Sequence, residues 1–93
     1  MSVFMVNHVC RQVLRDEAFR AAMHKDPYDL LAGFDLTEPE RRAISEGDVA
    51  ALYRDGANEF LLGYLMRFGI AGLTLQTFNE RMRGAGLRHS TDV

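Results

Sequence analysis

Residues that start or stop helices recur at short intervals along this chain, and that punctuation limits what it can build. Asp16, Asp26-Pro27, Thr37, Gly47-Asp48, Gly56, Gly69, Gly72 and Gly84 leave room only for short segments between them. Strand signals are nearly absent, because Leu73-Thr74-Leu75 alternates too briefly to count. The expected fold class is therefore all-α, a compact single-domain bundle of about five to seven short helices. With 93 residues the chain makes one domain, burying roughly 64% of its unfolded surface around an adequate but thin core. The expected domain spans residues 1–84, with 85–93 as a flexible C-terminal tail.

Local patterns place the segments. A first helix is expected from Val3 to Leu14, with Val3, Met5, Val6, Val9, Cys10, Val13 and Leu14 on one half of its circumference. Asn7, His8, Arg11, Gln12 and Arg15 fall on the other half, and so does Phe4, which points to an outward contact. Asp16 is placed to cap a second helix carrying Phe19 and Met23. Asp26 caps a short turn with Pro27 at its first position, where the missing N–H costs nothing. Thr37-Glu38-Pro39-Glu40 reads as a capping box, starting a helix that should stop at Gly47. Asp48 caps the next one, Gly56 ends it, and a longer helix is expected from Ala57 to Phe68. The last helix begins after Thr74 and ends near Gly84.

The 57–68 helix is the most informative for function. Phe60, Leu61, Tyr64, Leu65 and Phe68 form a wide stripe expected to face the core, while Leu62 and Met66 project from another side. A helix in a thin domain with two apolar sides has two solutions. Either Leu62 and Met66 meet another chain, or the helix is central and wrapped by its neighbours.

Charge and cysteine content narrow the function classes. Net charge is −2, which argues against non-specific binding to nucleic acid or to an anionic membrane. The charge is uneven: residues 16–59 hold eleven acids against five bases. The single cysteine, Cys10, rules out an internal disulfide and lies on the apolar side of its helix, where a thiol is usually inert. The run from Phe60 to Phe68 is too short to span a bilayer, and no signal-peptide pattern opens the chain, so a cytoplasmic location is expected.

No catalytic constellation emerges from the spacings. His8, His24 and His89 lack the i, i+3 or i, i+4 pairing with which two imidazoles on one helix hold a metal. Asp16, Asp26, Glu40 and Asp48 are accounted for as caps, and the glycines sit at helix ends rather than in a phosphate loop. No catalytic, cofactor-binding or metal-ligating residue is expected in this chain.

Three runs carry a family resemblance: Phe34-x-Leu36-Thr37-x3-Arg41, Gly47-Asp48-Val49-x2-Leu52, and Asp55-Gly56-Ala57-Asn58-x-Phe60-Leu61. With Asn7, Phe19-Arg20 and Asp26-Pro27 upstream, and Gly72-Leu73-Thr74-x3-Phe78-x3-Met82 and Gly84 downstream, the chain resembles the small α-subunit family of protocatechuate 4,5-dioxygenase. The link between the apolar helix and Gly72 is shorter than in the fuller members of that family.

The resemblance implies a partner: a larger catalytic β subunit that holds Fe(II) through two histidines and a carboxylate and opens a catechol-type ring. It implies that the small subunit is helical and covers the mouth of that active site. Phe4, Leu62 and Met66 are then the expected partner contacts, and Asn58, Glu59, Gly69 and Ile70 the expected pocket-facing residues. The alternative is a helical interaction module without an enzyme partner, either self-associating or binding a peptide.

Overall fold

A computed structural model of the chain describes residues 2–84. Seven α-helices follow in order: α1 (Ser2–Arg15), α2 (Glu17–Lys25), α3 (Pro27–Leu30), α4 (Glu38–Glu46), α5 (Val49–Arg54), α6 (Glu59–Arg67) and α7 (Leu75–Gly84). Single 3-10 turns, Leu31–Gly33 and Ile70–Gly72, follow α3 and α6. No strand occurs among the described residues, and the fold is all-α as expected. The expected tail at 85–93, with His89, lies outside the described residues.

The capping residues explain the segmentation. Asp16 Oδ1 accepts from the Phe19 amide at 3.0 Å, and Asp26 Oδ1 from the Asp29 amide at 3.2 Å. The capping box is complete: the Glu40 amide donates to Thr37 Oγ1 at 3.3 Å, and the Thr37 amide donates to Glu40 Oε1 at 2.8 Å. Gly47 ends α4 in the left-handed region, at φ 73°, and Asp48 at once caps α5. Asn58 rather than Ala57 opens α6, its side chain accepting from the Phe60 and Leu61 amides at 2.9 and 3.2 Å.

One core joins the helices. Val6, Val9, Cys10 and Val13 from α1 meet Phe19 and Met23 of α2, Ile44 of α4, Leu52 of α5, Leu62 and Leu65 of α6, and Phe78 and Met82 of α7. The α6 helix packs against α1, α5 and α7, so it is the central helix of the bundle. This decides between the two arrangements that its sequence left open. Leu62 and Leu65 are fully buried, Leu61, Tyr64, Met66 and Phe68 are partly buried, and Phe60 points outward at 80% exposure. The expectation that Phe60 faces the core is therefore corrected. Enclosed on most sides, α6 keeps a narrow free edge marked by Phe60 and Arg67, seven residues and about two turns apart.

Candidate functional site

The groups with the most chemistry lie apart from one another. Among the described residues, no group of three or more histidines, cysteines or carboxylates gathers as metal ligands do. His8 sits on the outer face of α1, its ring 6.5 Å from that of Phe34. His24 is exposed on α2 beside Gly69, where its ring would lie 3.8 Å from an added Cβ. Cys10 is wholly enclosed, and burial pushes its thiol up to about 12, against a weak opposing pull from Arg11. Such a thiol is held protonated and is no nucleophile at neutral pH.

One polar cluster stands out on the surface. The Tyr28 hydroxyl donates to Glu38, Arg42 pairs with Glu38 at 3.2 Å, and the Arg41 guanidinium lies 3.6 Å over the Tyr28 ring. The Tyr28 hydrogen bond, with Arg42 and Arg41 beside it, holds the Glu38 carboxyl below its ordinary value. Every part of this cluster is exposed or partly exposed, and it ties α3 to α4.

The surface of greater interest is at the junction of α1 and α6. The Asn58 amide donates to Asn7 Oδ1 at 3.1 Å, joining the start of α6 to α1. One turn before Asn7 stands Phe4, 70% exposed, and two residues after Asn58 stands Phe60, 80% exposed. Two exposed phenylalanines thus stand on the two helices that this hydrogen bond joins. Each forfeits about 1.5–3 kcal/mol relative to full burial.

The expected site residues divide on this geometry. Phe4 is at the surface, as its position on the polar half of α1 suggests. Leu62 is corrected: it is wholly buried in this chain's own core and has no surface to offer a partner. Met66 is partly buried against the same core. Ile70 is also corrected as a pocket-facing residue, because it is completely enclosed. Asn58 is occupied as a helix cap, Glu59 is half-buried, and Gly69 turns the chain at φ 68°.

Two residues after Gly69, Ala71 adopts φ 57°, left-handed for a residue with a Cβ, and the Arg20 guanidinium stacks 4.1 Å over Phe68. Phe60 is the surface residue that the apolar stripe concealed. Arg67 carries the signal that finds it, since a charge seven residues on marks that side of α6 as the wet one.

Two depressions lie among the described residues. One, of about 330 Å³, runs between α4 and α5, and a smaller one of about 170 Å³ lies along α1 at His8, Arg11, Gln12 and Arg15. Among the described residues, no helix is long and apolar enough to cross a membrane.

Comparison with curated proteins and with solved structures returns no match. A family model, "Aromatic-ring-opening dioxygenase LigAB, LigA subunit", matches residues 6–89. That span runs from Val6 in α1 through α7, so it covers the whole core but leaves out the first four residues of α1, Phe4 among them. On this match the chain belongs to the LigA-subunit family of LigAB aromatic-ring-opening dioxygenases.

Proposed function

We propose that this chain is the non-catalytic small subunit of a two-subunit, Fe(II)-dependent extradiol dioxygenase, docking on a larger subunit and covering the mouth of its active site. The family match carries the reading. The surface supports it: Phe4 and Phe60 are exposed on the two helices that the Asn7–Asn58 hydrogen bond joins. Exposed aromatic side chains are the usual anchors of protein interfaces. In this reading Phe4 and Phe60 are the contact residues, with Phe60 taking the place that the sequence suggested for Leu62.

In this reading the metal and the bond-breaking steps belong to the larger subunit. The chain's own contribution is to exclude water. Covering a metal site with a low-dielectric wall strengthens charge interactions inside it and protects reactive intermediates. The α6 helix and the Ile70–Gly72 turn after it give that wall rigidity, because both are anchored in the core through Leu62, Leu65 and Ile70. Location in the cytoplasm is part of the same proposal.

The test is affinity capture of the tagged chain from its source cells, grown with and without aromatic carbon, followed by mass spectrometry, iron analysis and a catechol ring-opening assay. Recovery of a larger, iron-bearing chain that opens a catechol ring supports the subunit reading. Recovery of the tagged chain alone under both growth conditions overturns it.

A further inference from the structure

We propose that the basic outer stripe of α1 docks into the acidic groove between α4 and α5 of a second copy of this chain, giving a head-to-tail contact. Residues 4, 8, 11 and 15 recur at the spacing that places them on one face of a helix. Val6, Val9 and Val13 point into the core, so Phe4, His8, Arg11 and Arg15 face directly away from it. All four are exposed, and α1 contains no acidic residue along its whole length. Among the described residues this cationic ridge with an aromatic end has no ion-pair partner for Arg11 or Arg15.

The counter-surface is present elsewhere on the same molecule. The groove of about 330 Å³ is lined by Pro39, Ala43 and Ala51 and by Glu38, Glu46 and Asp48, three acids against the single base Arg42. Glu38 is partly neutralised by its pairs with Arg42 and Arg41. Glu46 and Asp48 have no ion-pair partner among the described residues, and both are exposed. The α1 helix packs against α2 and α6, whereas α4 packs against α3 and α5, so ridge and groove belong to different parts of the bundle. Their charges are opposite, and one chain does not bring them together. Two copies do, with the ridge of one in the groove of the next, and opposite surface potentials favour that register over others.

Such a contact joins two different patches, so it leaves one ridge and one groove free at the ends of each dimer. It also uses the helix that carries Phe4, so self-association competes with docking on a larger subunit. The inference does not depend on that subunit's existence.

The experiment compares three proteins by sedimentation velocity at 50 and 500 mM NaCl: the native chain, a ridge variant R11E/R15E, and a groove variant E46R. These positions are exposed and outside the core, so circular dichroism should show all three equally helical. The native chain is expected to self-associate, with an association constant about tenfold lower at the higher salt. Each variant alone should be monomeric at a concentration where the native chain is dimeric. An equimolar mixture of the two variants should recover association, because the intact ridge of one fits the intact groove of the other.

A native chain that stays monomeric at millimolar concentration overturns the proposal. So does a dimer that survives in both variants, which would assign self-association to another face, such as the one that carries Phe60. A mixture that fails to dimerise overturns it as well.

Discussion

The side-chain oxygen of Asn7 accepts a hydrogen bond from the Asn58 amide at 3.1 Å, closing a contact between residues 51 positions apart. The same Asn58 turns its own side chain back onto the Phe60 and Leu61 amides. Between them the two asparagines satisfy three amides at the start of α6, a place where backbone donors have no helical partner. Asn7 therefore works as a remote cap. The two helices that carry Phe4 and Phe60, the residues proposed to meet a larger subunit, are tied together by this bond.

Replacing Asn7 by Ala should cost about 1 kcal/mol of stability in urea unfolding, the usual net worth of such a hydrogen bond. Asn58→Ala should cost a similar amount through its cap, and Asn58→Gly only a few tenths of that. Hydrogen exchange separates the two asparagines. Asn7→Ala should speed exchange of the Asn58 amide, while Asn58→Ala should speed that of Phe60 and Leu61. An unchanged Asn58 amide in the Asn7 variant would refute the remote cap.

Leu62 and Phe60, two residues apart, should respond in opposite ways. Leu62 is wholly enclosed, and truncation to Ala leaves a cavity worth about 2–5 kcal/mol, a large share of the stability of a domain this size. Leu62→Asp should not fold at all. Phe60 stands in water, so Phe60→Asp should change stability by less than about 0.5 kcal/mol and leave helicity intact. It should instead weaken capture of a larger subunit, and Phe4→Asp should do the same. Wild-type capture by the folded Phe4→Asp, Phe60→Asp double variant would remove this face from the interface.

Gly47 is held by its neighbours as well as by its own backbone. At φ 73° it is left-handed, and an added Cβ would lie 2.8 Å from Arg81 Nη1 and 3.1 Å from Leu73 Cγ. Arg81 donates to the carbonyls of Glu46 and Gly47 at 3.3 and 2.7 Å, so α7 covers the exposed end of α4. Gly47→Ala should destabilise by about 1–2 kcal/mol from backbone strain, with the clash adding to it. Arg81→Ala should cost about 1 kcal/mol alone. Together they should cost less than their sum, since removing the guanidinium relieves one of the close contacts. Strict additivity in denaturant unfolding would show that Arg81 moves aside freely.

The sequence was most informative where a few neighbouring residues settle the outcome. Asp16, Asp26, Thr37 with Glu40, Gly47 and Asp48 each act within four residues, and each starts or stops a helix where the pattern placed it. Contacts reaching across the chain left no such trace. Asn7 meets Asn58 and Arg81 meets Gly47 only after the bundle has formed. The facing of α6 was ambiguous for a different reason: it is apolar around most of its circumference, so periodicity alone has no clear maximum. The family was legible because caps and core positions together specify this fold. Which face of the fold meets a partner depends on how far α6 is rotated in the bundle, and that rotation put Phe60 outside and Leu62 inside.

Cys10 gives the fold a specific response to alkali. Its thiol titrates near 9.0 when free, and burial raises it to about 12 in the folded chain. Below pH 9 both states keep the proton, and the contribution of the thiol to stability is fully present. Above pH 9 the unfolded chain releases a proton that the folded chain retains, so unfolding is favoured. Stability should therefore fall between pH 9 and about 12, at up to about 1.4 kcal/mol per pH unit from this group. The informative quantity is the difference between the native chain and Cys10→Ala, which isolates the contribution of the thiol. The variant should begin less stable, from the small cavity it leaves, and then lose stability less steeply with pH. The native thiol should also be inert to an aromatic disulfide reagent at pH 8 until denaturant is added. Equal slopes for the two proteins, or prompt labelling of the folded chain, would place Cys10 in contact with water and contradict its burial.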